Sequence, residues 1–137
     1  MANAFNEDFM RLVARGGLNW AASGGSNIRA ALIDHADDTP APTTDLWMSD
    51  IASAAIEERT GNLTLIDAAD DGVLDLNDFV FTAAAGDPCE SLVFYKFVTV
   101  DGDSPYFVVI DTATGLPVTL NGGDVNVAIH ASGLCKI

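Results

Sequence analysis

Positive charge is scarce in this chain. Its 137 residues contain six Lys and Arg against twenty Asp and Glu, which gives a net charge of −14 at pH 7. Binding to nucleic acid requires cationic side chains that neutralise the phosphates. From the composition we therefore expect no direct contact with DNA or RNA. A spread of negative charge instead favours solubility at high concentration and few nonspecific contacts.

Long apolar runs are absent too. No run of about eighteen apolar residues occurs, so the sequence predicts no membrane-spanning helix. Residues 1–10 have neither a basic segment nor a long apolar segment, and so are not typical of a secretory signal. We therefore expect the mature chain to begin near Ala2, inside a cell. Apolar residues still make up 49% of the chain, which suffices for one folded domain over residues 1–137.

Cysteine is rare, and its spacing is uninformative. Cys89 and Cys135 are the only two, and neither belongs to a C-x-x-C pair or has a recognisable histidine partner. A zinc site needs four clustered ligands, which these residues do not supply, and no cofactor is expected. Free thiols are the default inside a cell. A disulfide remains open, and it would require Cα atoms within about 7 Å.

Catalytic motifs are also missing. Nucleophilic catalysis needs a nucleophile, a base and an orienting acid, and His35 and His130 both lie at predicted strand ends, outside any recognisable motif. The glycine-rich stretch at 23–26 lacks the lysine and the strand–loop–helix context of a P-loop. Glu57 and Glu58 are adjacent in a predicted strand and so point to opposite faces. We predict no catalytic residues and no enzymatic activity.

What the chain does contain is a series of short strand-like segments separated by turn residues. Alternation and flanking turn residues predict strands at 28–33, 52–58, 62–66, 78–83, 92–98, 106–111 and 124–130. The last three are rich in Val, Ile, Phe and Tyr, which favour strands. Residues 101–105 and 120–124 are predicted to be a hairpin loop and a tight turn. No β-α-β alternation occurs. The pattern predicts a mainly β fold, an antiparallel β-sandwich or barrel-like domain with a short N-terminal helix.

The N-terminal segment, residues 1–20, is predicted to contain that helix over residues 6–15. Apolar residues recur there at helical spacing, Asn6 is an expected N-cap, and Gly16-Gly17 is an expected stop. Two interpretations stay open. The helix either packs on its own domain, or forms an arm that grips a neighbouring subunit through Phe5 and Phe9.

Residues 37–50 form a proline-rich segment, predicted to be a loop excursion from the core. Two prolines and many turn residues exclude a central strand there. Residues 46–51 are compatible with a helical turn. Trp47 within it is interpreted either as a core anchor, which we prefer, or as an interface anchor.

The acidic stretch at residues 67–79 raises the question of calcium. With Asp67 at position one of an EF-hand loop, Gly72 takes position six and Asp78 position twelve. Ala69 at position three supplies no ligand, and the flanking segments are strand-like. We therefore prefer turns at residues 70–72 and 75–78, in which Asp and Asn satisfy backbone groups. Weak calcium binding over Asp67 to Asp78 is the alternative.

Several blocks of the sequence resemble small structural proteins of tailed bacteriophages. The most specific is G-L-P-V-T-L-N-G-G-D, within V-I-D-T-A-T-G-L-P-V-T-L-N-G-G-D-V-N-V at 109–127. Others are M-A-N-A-F at 1–5, I-R-A-A-L-I-D at 28–34, D-G-V-L-D-L-N-D at 71–78 and E-S-L-V-F-Y-K at 90–96. The chain departs from the family at 134–137 and over 37–50. The resemblance implies a virion-associated β protein, made in the cytoplasm of a host bacterium, with a strand–turn–strand at the acidic block.

Composition and resemblance together predict a chain that works through its surfaces. We expect a head decoration (cement) protein on the outside of a capsid lattice, bound to the major capsid protein and to itself as a trimer, without contact to nucleic acid or membrane. Because interfaces bury aromatic anchors, Phe5, Phe9 and Trp47 are the candidate subunit or capsid contacts.

Two other functions remain as alternatives. The first is a tail, neck or fibre-attachment component of the virion. The second is a carbohydrate-binding module for host glycans, which would need an exposed aromatic platform made of Tyr95, Tyr106 and Phe107. Those three residues fit better as alternating residues of two paired strands.

Overall fold

A five-stranded antiparallel sheet forms the centre of the molecule. The computed structural model describes residues 3–68 and 71–136. In spatial order the strands are Ala4–Phe5 (β1), Tyr106–Ile110 (β8), Ser91–Lys96 (β7), Ile28–Ile33 (β2) and Ile56–Arg59 (β3). Each neighbouring pair is antiparallel. The prediction of a mainly β, antiparallel fold with one short helix is confirmed, in a sandwich-like form and without a closed barrel.

Two smaller sheets and one helix complete the described structure. Leu65–Ile66 (β4), Val73–Leu76 (β5) and Cys135–Lys136 (β10) form one sheet, in which β5 is central, and Phe79–Phe81 (β6) pairs with Val125–Val127 (β9). The helix, α1, spans Phe9–Ala14. Short 3₁₀ turns lie at Met48–Asp50, Ser53–Ala55 and Asp101–Asp103. In the described residues, no helix is long and apolar enough to cross a membrane.

The central strands are buried on both faces. Successive residues of a strand point to opposite faces, so Ile28, Ala30 and Leu32 of β2 enter one core cluster, and Ala31 and Ile33 enter another. The first cluster lies against α1 and the smaller sheets. The second lies under the segment that carries Met48, Ile51 and Ala55. Continuous apolar runs such as those of β7 and β8 suit strands that are covered on both sides.

The proline-rich segment belongs to this second layer. It was predicted as an excursion from the core, yet Pro40, Pro42 and Met48 are buried, and Met48 N donates a hydrogen bond to Ser104 O at 2.8 Å. The predicted helical turn over residues 46–51 is confirmed as the 3₁₀ turn Met48–Asp50. The segment is irregular because its prolines cannot join a sheet ladder, but its Met48 belongs to the core cluster on one face of the central sheet.

Strand boundaries differ from the prediction where a strand pairs with a segment that is distant in the sequence. The strand predicted at 52–58 is instead Ile56–Arg59, because Ser53–Ala55 forms a 3₁₀ turn. Asp75, predicted within a second turn, lies inside β5. That strand is stabilised by antiparallel pairing with β4 on one side and β10 on the other. The prediction of a turn at residues 75–78 is therefore wrong for Asp75 and Leu76, which belong to β5.

The N-terminal helix packs on its own domain, the first of the two interpretations. It begins at Phe9, and its N-cap is Asp8 instead of the predicted Asn6, although Asn6 Oδ1 accepts a hydrogen bond from Asp8 N at 2.9 Å. It ends as predicted at Gly16, whose φ of 70° is left-handed, with Gly16 N bonded to Val13 O and Gly17 N to Leu12 O. This is a Schellman termination, which glycine allows without strain. The ring of Phe9 is buried and stacks on Phe107 at 5.5 Å.

Candidate functional site

The two segments predicted to make contacts lie side by side. Glu7 N donates a hydrogen bond to Pro42 O at 2.9 Å, and the side-chain amide of Asn6 donates to Asp45 O at 2.5 Å. Asp45 in turn accepts a hydrogen bond from the buried hydroxyl of Tyr106 at 3.3 Å. The N-terminal segment and the proline-rich segment are thus joined in one surface, here called the N-terminal surface, formed by residues 5–17 and 42–47.

The three aromatic residues predicted as contacts differ in their exposure. Phe5 is 42% exposed and Trp47 is 38% exposed, whereas Phe9 is only 2% exposed. The ring of Phe5 lies parallel to that of Phe9 at 5.0 Å, with an angle of 6° between their planes. Phe5 and Trp47 are therefore available to a partner. Phe9 is not, and it supports Phe5 from beneath.

A cavity of about 330 Å³ opens on the N-terminal surface between α1 and Trp47. Its lining is mainly apolar but includes two guanidinium groups. Arg11 is paired with Asp8 at 2.7 Å. Arg15 is exposed and has no ion-pair or hydrogen-bond partner for its side chain among residues 3–68 and 71–136. This arrangement suits an anionic group that arrives with an apolar neighbour. The lining residues are Asn6, Asp8, Phe9, Arg11, Leu12, Arg15, Gly17, Leu46, Trp47, Pro105 and Tyr106.

Four carboxylates converge elsewhere on the molecule. Asp34, Asp37, Glu57 and Asp87 each place one oxygen within 4.8 Å of the others, and we call this group the acidic cluster. Asp34 is 4% exposed, and its Oδ1 accepts one hydrogen bond, from Ala36 N at 2.8 Å. In the part of the chain that the structure describes, no Lys or Arg forms an ion pair with these carboxylates. Carboxylate oxygens are the ligands of hard cations, so this group could hold a divalent cation or a cationic side chain.

The topology of the sheet assembles the acidic cluster. Asp34 and Asp37 follow β2, Glu57 lies in β3, and Asp87 precedes β7, where β2 is flanked by β3 and β7. Sequence reasoning missed the cluster because its members are spread over more than fifty positions. The sequence does place acidic residues at or near the ends of three strands. These residues could be recognised as neighbours only once the order of the strands in the sheet was known.

The acidic stretch at 67–79 uses its carboxylates differently. Asp67 accepts a hydrogen bond from Ala22 N at 2.6 Å, Asp71 from Val73 N at 3.2 Å, and Asp78 from Ile129 N at 2.7 Å. These three carboxylates serve the backbone of three separate segments. The flanks are the strands β4, β5 and β6, not the helices of an EF-hand. The strands of the predicted strand–turn–strand are present, while Ala69 and Asp70, the latter in the predicted turn at 70–72, lie outside the described residues.

The histidines hold parts of the fold together. His35 Nε2 lies 2.8 Å from Ser91 Oγ, and His35 N donates to Glu90 Oε2 at 2.8 Å. A histidine beside a serine is the beginning of a nucleophilic arrangement. Ser91, however, is 0% exposed, so its hydroxyl is out of reach of a substrate. His130 Nδ1 accepts a hydrogen bond from Ser132 N at 3.0 Å, within a turn.

The aromatic residues of the carbohydrate-binding alternative are buried. Tyr95, Tyr106 and Phe107 all belong to the core, and Tyr95 pairs directly with Tyr106 across β7 and β8. A glycan platform requires exposed ring faces, so these residues cannot form one. Their interpretation as residues of two paired strands is confirmed, and the carbohydrate-binding alternative loses the residues on which it depended.

Both cysteines are free thiols. Burial, followed by the charges of Glu57 and Asp34, raises the pKa of Cys89 to about 12. Burial alone raises the pKa of Cys135 to about 11. A thiol with a raised folded pKa stabilises the fold below its unfolded pKa and loses that contribution as pH rises. Both cysteines therefore make the fold sensitive to alkali between about pH 9 and pH 12.

We expect neither thiol to react quickly in the folded protein, because the reactive species is the thiolate. The measurement is titration with a chromogenic disulfide near pH 8, before and after addition of urea. The folded protein should give a slow signal and the unfolded chain a rapid signal from two thiols. A rapid native reaction that disappears in Cys89→Ala would contradict the burial of this residue.

In comparisons with known protein families and with curated proteins, the chain matches none. The resemblance to phage structural proteins therefore stays a prediction. Three features of the geometry bear on function: the exposed rings of Phe5 and Trp47, a cavity with two arginines, and the acidic cluster.

Proposed function

We propose that this chain is a non-enzymatic structural protein of a bacteriophage virion, most specifically a head decoration protein that binds the outside of the capsid lattice. The observation that carries the proposal is the N-terminal surface, where Phe5 and Trp47 are both exposed and Trp47 lines a cavity. Exposed aromatic residues beside a pocket are the usual energetic centres of protein interfaces.

The aromatic side chains beneath the N-terminal surface support the same function. Phe5 stacks on Phe9, and Phe9 stacks on Phe107 in the central sheet. A side chain already held in place loses little conformational entropy when a partner covers it. A rigid aromatic contact and an acidic, soluble body together suit a protein that occupies many equivalent positions on a lattice.

Replacing Phe5 or Trp47 with alanine should weaken binding to capsids that lack this chain. Each truncation removes an aromatic anchor, and a central anchor contributes about 2 kcal/mol or more, equivalent to roughly thirtyfold in affinity. The measurement is co-sedimentation with capsids over a range of protein concentrations. Ile66→Ala is the matched control, because Ile66 is also 42% exposed but lies on β4. Equal binding by all variants would refute the assignment of this surface.

Quantitative mass spectrometry of purified particles tests the function itself. We expect a number of copies equal to that of the major capsid protein or a simple fraction of it. A few per cent of that number would instead place the chain in the tail, the neck or a fibre attachment, which is the second candidate. Absence from the particles would refute both.

A further inference from the structure

The connection between β7 and β8 contains a strained residue. Thr99 has a φ of 57°, and this left-handed conformation is unusual for a β-branched residue. Val100 N donates a hydrogen bond to Val98 O at 2.5 Å, so the chain reverses around Thr99 as it does in a γ-turn, which is a strained turn when the central φ is positive. We call residues 98–100 the hairpin tip. Backbone strain of this kind persists only where surrounding contacts enforce it, and it is concentrated at functional sites.

Side-chain contacts hold the hairpin tip in this conformation. Ser104 is 0% exposed. Its hydroxyl accepts a hydrogen bond from Val98 N at 2.9 Å and donates one to Val100 O at 2.8 Å. Just after the tip, the carboxylate of Asp101 accepts two hydrogen bonds from the guanidinium group of Arg59, at 2.9 and 2.7 Å. The tip is therefore fixed before a partner arrives, and a partner that covers it loses little conformational entropy.

The side chains that the hairpin tip presents are apolar. Val98 is 37% exposed and Val100 is 54% exposed. Asp101 and Asp103 follow them directly in a chain whose net charge is −14, and anionic lipids repel such a surface. Exposed apolar side chains on a rigid, acidic loop therefore suit an apolar pocket of another protein better than they suit a membrane.

An arginine with two free terminal nitrogens lies beside the hairpin tip. The guanidinium group of Arg29 lies over the ring of Phe97, 3.5 Å from its centroid, and its Nε donates to Asn62 Oδ1 at 2.8 Å. In the part of the chain that the structure describes, its Nη1 and Nη2 have no hydrogen-bond or ion-pair partner. The ring and the Asn62 amide hold the group in place, and its two remaining nitrogens are free to bind a carboxylate.

The hairpin tip adjoins the N-terminal surface. Trp47 forms a β-bridge with Pro105, and Met48 N donates a hydrogen bond to Ser104 O at 2.8 Å. Ser104 is the residue whose hydroxyl holds the tip. A partner bound at the exposed ring of Trp47 therefore lies within reach of the tip.

We propose that the hairpin tip is a second, preorganised contact with the capsid protein, in which Val98 and Val100 enter an apolar pocket and Arg29 binds a carboxylate at its edge. The inference rests on the proposed function, which supplies the partner, and it adds the chemistry that this partner presents. A carboxylate is the matching group because it accepts two parallel hydrogen bonds from a guanidinium group, a geometry that lysine does not reproduce.

Four variants test this contact by co-sedimentation with capsids that lack this chain. Val98→Thr/Val100→Thr keeps the branching of both side chains but removes apolar surface, and it should weaken binding about tenfold. Arg29→Gln should weaken binding by about the same factor, and Arg29→Lys should recover little of the loss because it lacks the planar fork. Thr99→Gly should unfold at no lower urea concentration, since glycine accepts a positive φ. It should nevertheless bind about threefold more weakly, because the unbound tip is then less restricted.

Two matched controls show whether the effects belong to the hairpin tip. Val80→Thr changes a valine of similar exposure, 39%, on β6, and Lys136→Gln removes a cation from β10. Both should bind like the original chain. Urea unfolding verifies that every variant is folded, so that weaker binding reports the contact and not a loss of structure.

The possible outcomes separate this inference from the proposed function. If the valine variant, Arg29→Gln or Thr99→Gly binds capsids as the original chain does, the inference is overturned, and weaker binding by Trp47→Ala would leave the proposed function standing. If the original chain does not bind capsids, both are overturned. The inference also fails if the original chain sediments with vesicles of phosphatidylcholine and phosphatidylglycerol and the valine variant does not, since the tip would then be a lipid contact.

Discussion

Replacing Phe9 with alanine is expected to lower the free energy of unfolding by about 3–5 kcal/mol, the usual cost of removing a buried phenylalanine. The ring is 2% exposed and is stacked between Phe5 and Phe107, so its loss leaves a cavity against the central sheet. Urea unfolding followed by tryptophan fluorescence is the appropriate measurement, because Trp20 packs edge-on against Phe107 at 6.1 Å. A loss of this size is a large part of the stability of a typical domain.

Met10→Ala is the matched control for this experiment. Met10 lies in the same helix but is 58% exposed, and exposed substitutions of this kind usually change stability by no more than about 0.5 kcal/mol. If Phe9→Ala and Met10→Ala unfolded at the same urea concentration, α1 would be a detached arm instead of a packed element. The aromatic stack under Phe5 would then give no rigidity to the N-terminal surface.

The elements predicted well from sequence are those with strong local signals. β2, β7 and β8 combine β-branched or aromatic residues with enough length to fix a strand assignment, and burial on both faces explains their continuous apolar runs. The end of α1 was predictable because Gly16 takes a left-handed φ that other residues avoid. In these cases the physical cause of the structure lies within a few neighbouring residues.

The elements that sequence could not predict depend on distant partners. β1 and β10 have two residues each, too few for a periodic pattern. β1 exists because it pairs with β8, and next to it Asn3 bonds Thr112, 109 positions away. The acidic cluster likewise follows from the order of β2, β3 and β7. Exposure was equally hard to assign, since Phe5, Phe9 and Trp47 have similar chemistry but only Phe9 is buried.

Replacing Gly86 with alanine is the second substitution with a large expected effect. Gly86 has a φ of 138°, which side chains rarely tolerate and which costs about 1–3 kcal/mol when they are forced into it. A methyl group there would also collide with the carboxylate of Glu57. Gly61→Ala is the matched control, because nothing lies within 4 Å of its added carbon, and it should be neutral or stabilising by up to about 1 kcal/mol.

The double variant Gly86→Ala/Glu57→Ala separates the two causes. If the collision dominates, removing the Glu57 side chain should restore most of the stability lost in Gly86→Ala, whereas backbone strain would persist. Unfolding midpoints in urea measure the stability of each variant. A Gly86→Ala chain as stable as the Gly61→Ala chain would contradict both the backbone strain at Gly86 and its close contact with Glu57.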